Sequence, residues 1–156
     1  MRLIADNVRM SFDKVEVLRG ASFAFEQGKI YALLGRNGAG KTTFFNCINA
    51  DIRPDSGTIS LEMPDGILRP LTADDVGYVL SIPVVPEFLT VRELLSFFLE
   101  INRARIADPK TPDEYLDSIQ IDIKDRNKLL RDYSHGMKNK VQMLLNLIAE
   151  PSVLLL

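Results

Sequence analysis

Gly35-Arg36-Asn37-Gly38-Ala39-Gly40-Lys41-Thr42 sets three glycines, a lysine and a hydroxyl in the order G-x-x-x-x-G-K-[ST]. Each residue type suits the grip on a chain of phosphates. Gly35, Gly38 and Gly40 allow backbone conformations and a close approach that a Cβ would hinder. If a helix starts at Lys41, the NH groups of the loop (Arg36, Asn37, Ala39) and of Lys41, Thr42 and Thr43 present partial positive charge to α- and β-phosphate oxygens. Lys41 can reach the β- and γ-phosphates, and the Thr42 hydroxyl can ligate Mg²⁺. Ordinary residue frequencies would assemble this pattern by chance in roughly half a percent of chains this long. Alone, it does not choose among the many classes of nucleotide hydrolase.

Such a loop needs a strand before it and a helix after it. Ile30–Leu34 is a continuous apolar run between Gly28 and Gly35, which predicts a strand buried on both faces of a parallel sheet. A helix is expected from Lys41 to about Ala50, closed by Arg53-Pro54-Asp55-Ser56-Gly57. Upstream, Leu3–Val8, Val15–Leu18 and Ala21–Phe25 read as short strands, and downstream Thr58–Met63 and Val76–Leu80 read as two more. Beyond Ser81 the spacing turns helical. Thr90-Val91-Arg92-Glu93 forms a capping box, after which Val91, Leu94, Leu95, Phe98 and Leu99 recur on one face. Shorter helices are expected over Asp113–Ile119 and Lys124–Leu130. Ser134 can cap a last helix whose Met137, Val141, Leu144, Leu145 and Ile148 make one stripe. Pro151 ends that helix, and Val153–Leu156 begins a buried strand.

Composition bounds the class. The chain has 156 residues, 46% of them hydrophobic, enough for a packed core and against disorder. Lys and Arg number 19 against 21 Asp and Glu, and a net charge of −2 argues against a nucleic-acid partner. Cys47 and His135 are each the only residue of their kind, so neither a disulfide framework nor a zinc cluster can be built. No apolar stretch approaches the ~20 residues needed to span a bilayer. Asp6 interrupts the N-terminus too early for a signal peptide. The balance reads as a soluble globular protein of a reducing compartment.

The order of these features is more specific than the loop. Short strands, GRNGAGKTT, a helical insertion, Tyr133-Ser134-His135-Gly136-Met137 opening a helix, and Pro151-Ser152-Val153-Leu154-Leu155-Leu156 together resemble the ATP-binding subunit of ABC transporters over essentially the whole chain. The resemblance implies an α/β fold: a P-loop nucleotide-hydrolase core with an N-terminal antiparallel β region and an inserted helical subdomain. It divides the chain into a nucleotide-binding core over 1–80, a helical subdomain over 81–134, and a signature helix with the start of the Walker B strand over 134–156. Phe12 then stands where an aromatic ring stacks on adenine, and Ser81 where a glutamine normally reaches Mg²⁺ and the attacking water. Tyr133–Met137 stands for the LSGGQ signature. Ser134, His135 and Gly136 would therefore meet the γ-phosphate of ATP held by the other subunit of a homodimer or heterodimer.

Several departures matter. Ser81 is shorter than glutamine, which leaves metal contact direct, through water or lost. Tyr133, His135 and Met137 depart from the signature in a way seen among export-type subunits. Val153–Leu156 resembles the Walker B strand, and the expected Mg²⁺-linked aspartate and catalytic glutamate lie beyond Leu156, so the chain is expected to be the N-terminal portion of a longer ATPase. The resemblance further implies ATP and Mg²⁺ as ligands and a transmembrane permease subunit as partner. It implies a cytoplasmic place at the inner face of the membrane, held there by that partner. A degenerate nucleotide-binding module that does not hydrolyse, and a soluble ABC-type ATPase not engaged in transport, stay open as alternatives.

Overall fold

Alternation of buried Leu3, Ala5 and, after a bulge, Val8 with more exposed neighbours gives the first strand one buried face. In the computed structural model, which describes residues 1–156, strand β1 spans Arg2–Phe12 and β2 spans Val15–Glu26. They form an antiparallel hairpin closed by Asp13-Lys14, with Phe12 opposite Val15. The two short strands expected over Val15–Leu18 and Ala21–Phe25 are one continuous strand. Gly20, at φ +93°, carries the chain through the irregular register there, and a Cβ would lie 2.7 Å from Asn7 Oδ1. Strand β3 (Ser56–Glu62) pairs with the other edge of β1, and the short β4 (Leu68–Pro70) pairs with β3, giving the order β2-β1-β3-β4. Helix α1 (Lys41–Ile48) buries Phe44, Cys47 and Ile48.

One expectation fails in this region. Ile30–Leu34 forms no strand, and Ile30 and Leu34 are almost fully exposed. Apolar character is local, whereas a strand exists only through a hydrogen-bonded neighbour, and no strand pairs with this segment.

The chain divides into two compact units, Met1–Val76 and Gly77–Leu156. In the second, helices α2 (Val91–Ile101), α3 (Pro112–Ser118) and α4 (His135–Ala149) accompany a two-stranded sheet of β6 (Val153–Leu155) and β5 (Val76–Tyr78), whose first residue closes the first unit. Their apolar stripes meet in one core in which Val91, Leu95, Leu116, Leu130 and Val141 are fully buried. Each such side chain contributes about 1.5–3 kcal/mol by leaving water. Segments 81–134 and 134–156 thus share a single core. Thr90 caps α2 as the capping box demands, its Oγ accepting from the Glu93 NH at 3.2 Å while Glu93 accepts from the Thr90 NH at 2.8 Å.

The helix expected over Lys124–Leu130 is instead two 3₁₀ turns, Ile123–Asp125 and Leu130–Asp132. The buried guanidinium of Arg126 decides this. It donates to the Ile121 carbonyl at 3.0 and 3.1 Å, to Asp113 Oδ1 at 3.1 Å, and to Asp117. Arg92 also donates to Asp113, at 2.7 Å, and the two guanidiniums hold that carboxyl below its usual range. The sheltered Arg126 guanidinium needs its partners, and the backbone follows it rather than helical periodicity.

Candidate functional site

Within the first unit, Gly40 is the N-cap of α1. It is buried, sits at φ +90° and uses no side-chain cap. A Cβ there would come 2.9 Å from Val17 Cγ1 and 3.0 Å from Leu18 Cδ2, so only glycine lets the loop lie against β2. Phe44 NH closes the first helical bond onto the Gly40 carbonyl at 2.8 Å. The NH groups of Lys41, Thr42 and Thr43 have no carbonyl one turn back inside the helix and are left for an acceptor outside it. Gly38, at φ +80°, borders open space, while a Cβ at Gly35 would stand 3.3 Å from the Ala39 Cβ.

Lys41 completes the cradle. Its Nζ donates to the carbonyls of Gly35 at 2.8 Å and Arg36 at 2.9 Å, so the ammonium lies folded back along the loop with a third N–H to spare. Arg36, Asn37, Gly38, Ala39 and Thr42 are exposed, and Ala39 NH turns back onto the Arg36 carbonyl at 3.1 Å. The donor set is NH groups, one ammonium and one hydroxyl, with every charge on it positive. That suits a polyphosphate. A metal ion fits only if phosphate brings it: no group of three or more His, Cys, Asp or Glu side chains is gathered to hold one.

Phe12 is 44% exposed at the end of β1. It lies across from Val15, two residues before the Val17 on which Gly40 rests, so the ring and the loop share one end of the hairpin. Cys47 is a packed thiol. Burial, and secondarily Asp55, pushes its pKa up, so it offers no thiolate at neutral pH.

The second unit carries the other candidate residues. Ser134 is the N-cap of α4, its Oγ accepting from the Met137 NH at 3.2 Å, and Ser134, His135 and Gly136 are all exposed there. Tyr133, by contrast, is buried, and its hydroxyl donates to the Asp125 carbonyl at 3.0 Å. Burial pushes its phenol up to about 12. Tyr133 is therefore a core residue with a satisfied hydroxyl. Ser81 is exposed in a bend after β5. Phe98 and Leu99 pack against the helical core, whereas Phe97 is 59% exposed.

Sequence reasoning missed a contact beside the Ser134 turn. Lys138 Nζ donates to Glu87 Oε1 at 2.5 Å, joining residues 51 positions apart, which no local spacing rule detects.

The family model described as ABC transporter matches residues 18–156. The chain belongs to the ABC transporter family. Among curated members, it is 33% identical over 92% of its length to mouse glucosylceramide transporter ABCA12, covering 6% of that protein. It is 29% identical over its full length to a probable sulfate/thiosulfate import ATP-binding protein of Chlorella vulgaris, covering 66%. To an uncharacterized ABC transporter ATP-binding protein of Nostoc it is 36% identical over 92% of its length, covering 43%. The chain thus spans only part of these relatives.

Solved structures share the fold. An ATP-binding subunit of an ABC transporter superposes with a TM-score of 0.78 at 23% identity, covering 99% of this chain and 65% of that one. A dimeric ATP-binding cassette bound to ADP and phosphate gives 0.75 at 18% identity, covering 97% and 72%. The α/β architecture is that of the P-loop ATPases of ABC transporters. No helix is long and apolar enough to cross a membrane.

Proposed function

We propose that this chain is the nucleotide-binding part of an ABC transporter ATPase, and that Gly35–Thr43 grips the phosphates of ATP. The observation that carries this reading is the Gly40 cap, where a left-handed glycine without a side chain leaves a whole helical turn of NH groups beside the Lys41 ammonium. Lys41 would turn its spare N–H from the loop carbonyls toward the β- and γ-phosphates. Arg36, Asn37, Gly38 and Ala39 would line the phosphate chain with backbone, and the Thr43 NH would add a donor in the first turn. The Thr42 hydroxyl would hold Mg²⁺ together with the phosphates. That ion would neutralise part of their charge. The exposed Phe12 ring offers a face on which adenine can stack without sequence-specific hydrogen bonds.

In the assembled protein, Ser134, His135 and Gly136 would meet the γ-phosphate held by a second ATP-binding subunit, and hydrolysis would be coupled to a transmembrane permease. Exposed apolar residues of the second unit, among them Ile82, Val84 and Phe88, offer the permease a surface. Ser81, too short to copy a glutamine, would act on Mg²⁺ only through water. The form of Tyr133–Met137 favours export. Titration with ATP, ADP and AMP tests the loop. ATP and ADP are expected to bind at least about tenfold more tightly than AMP, because Lys41 and the first-turn NH groups engage the β-phosphate. Equal affinity for all three would overturn the reading.

A further inference from the structure

Glu87 is bound on both sides of the Ser134 turn. Ahead of the turn, its backbone carbonyl accepts from the Arg131 NH at 3.1 Å. The neighbouring Leu89 carbonyl accepts from the Leu130 NH at 2.8 Å, and Thr90 forms a bridge with Leu129. Beyond the turn, its carboxylate holds Lys138, the residue whose NH closes the first helical bond of α4 onto the Ser134 carbonyl at 3.0 Å. The Lys138 side chain is only 15% exposed, so its ammonium has been drawn against the Glu87 segment rather than left in solvent. One residue thus grips the backbone entering the turn and the side chain leaving it.

We propose that Glu87, acting through Lys138, is a positioning residue that sets the aim of the Ser134–Gly136 turn at phosphate. This deepens the proposed function and rests on it. Leu130 and Tyr133 anchor the approach to the turn in the core, but the first turn of α4 is exposed at Ser134, His135 and Gly136. The ion pair is the side-chain tie that links this exposed turn to the 86–90 segment. The same segment carries Phe88 next to Glu87, at 77% exposure. A partner pressing on Phe88 would therefore pull on the strap that orients Ser134.

A second consequence separates positioning from simple electrostatics. If Glu87 merely masked the positive charge of Lys138, neutralising it would free a cation four residues from Ser134 and strengthen the hold on phosphate. Positioning requires the opposite.

The test is a double-mutant cycle in the intact protein with Glu87→Gln, Lys138→Gln and the pair together, reading kcat and KM for ATP hydrolysis, nucleotide Kd and Tm. Each single variant is expected to lower kcat about three- to fivefold, with nucleotide Kd within about twofold and Tm within a few degrees. The double variant should lose no more than either single one, because both break the same link. Glu87→Asp, which shortens the strap but keeps its charge, should recover part of the loss. Unchanged or raised kcat in Glu87→Gln, additive losses, or a fall in kcat that only tracks Tm would each overturn the proposal. Lys41→Ala is the control for the reading beneath it. If that variant still turns over ATP, the nucleotide assignment fails; if it is inactive while the Glu87 and Lys138 variants match the parent, only the strap fails.

Discussion

Gly40 and Ser134 each open a helix whose first turn can face an anion, yet the two are built in opposite ways. Gly40 is buried, left-handed and without a capping side chain; Ser134 is exposed, extended, and spends its Oγ on the Met137 NH. The first arrangement leaves every first-turn NH unspent and adds Lys41, which suits a chain of several phosphates. The second has already used one NH on its own cap and retains the serine O–H as a donor, which suits a single terminal phosphate. Their foundations differ as well. The loop follows an exposed, unpaired segment over Ile30–Leu34, whereas the Ser134 turn stands on Leu130 and Tyr133 in a packed core. The first helix start is held by backbone conformation and the second by side chains.

The largest expected effect attacks the packed foundation. Leu130→Ala should cost about 2–5 kcal/mol, since a fully buried leucine leaves a cavity, and urea melts of the second unit will show it. A loss below about 1 kcal/mol would mean the turn does not depend on that core. Next comes the pair of glycines. Gly40→Ala should cost about 1–3 kcal/mol and weaken nucleotide binding, because its φ is +90° and its Cβ would strike Val17. Gly136→Ala meets nothing within 4 Å and should change stability by less than about 1 kcal/mol. Equal costs at the two positions would erase the contrast.

The smallest effect is a pH slope. Burial raises the Tyr133 phenol to about 12, while the unfolded chain releases that proton near its ordinary value of about 10. The stability this contributes is whole below about pH 10 and is lost as pH rises through about 12. Tyr133→Phe should therefore show a shallower alkaline decline than the parent in melts compared at about pH 9 and about pH 11.5.

Local chemistry was the legible part. The Thr90 box, the Ser134 cap and the start of α1 at Lys41 follow from contacts spanning three or four residues, and each forms where the side chains call for it. What escaped depends on distant partners. Ile30–Leu34 has strand composition but no neighbouring strand, so it stays irregular. Residues 124–130 carry helical spacing, but the demand of Arg126 for Asp113, Asp117 and the Ile121 carbonyl overrides it. Strand β4 is only three residues long and is defined by its register with β3 rather than by alternation. The Glu87–Lys138 tie is invisible for the same reason.

The most direct measurement is calorimetric titration of MgATP into the parent chain, Lys41→Ala and Ser134→Ala. Lys41→Ala should lose at least about tenfold in affinity, while Ser134→Ala should stay within about twofold, because its partner is a nucleotide held elsewhere. Unchanged binding in Lys41→Ala, or equal losses in both variants, would contradict the account.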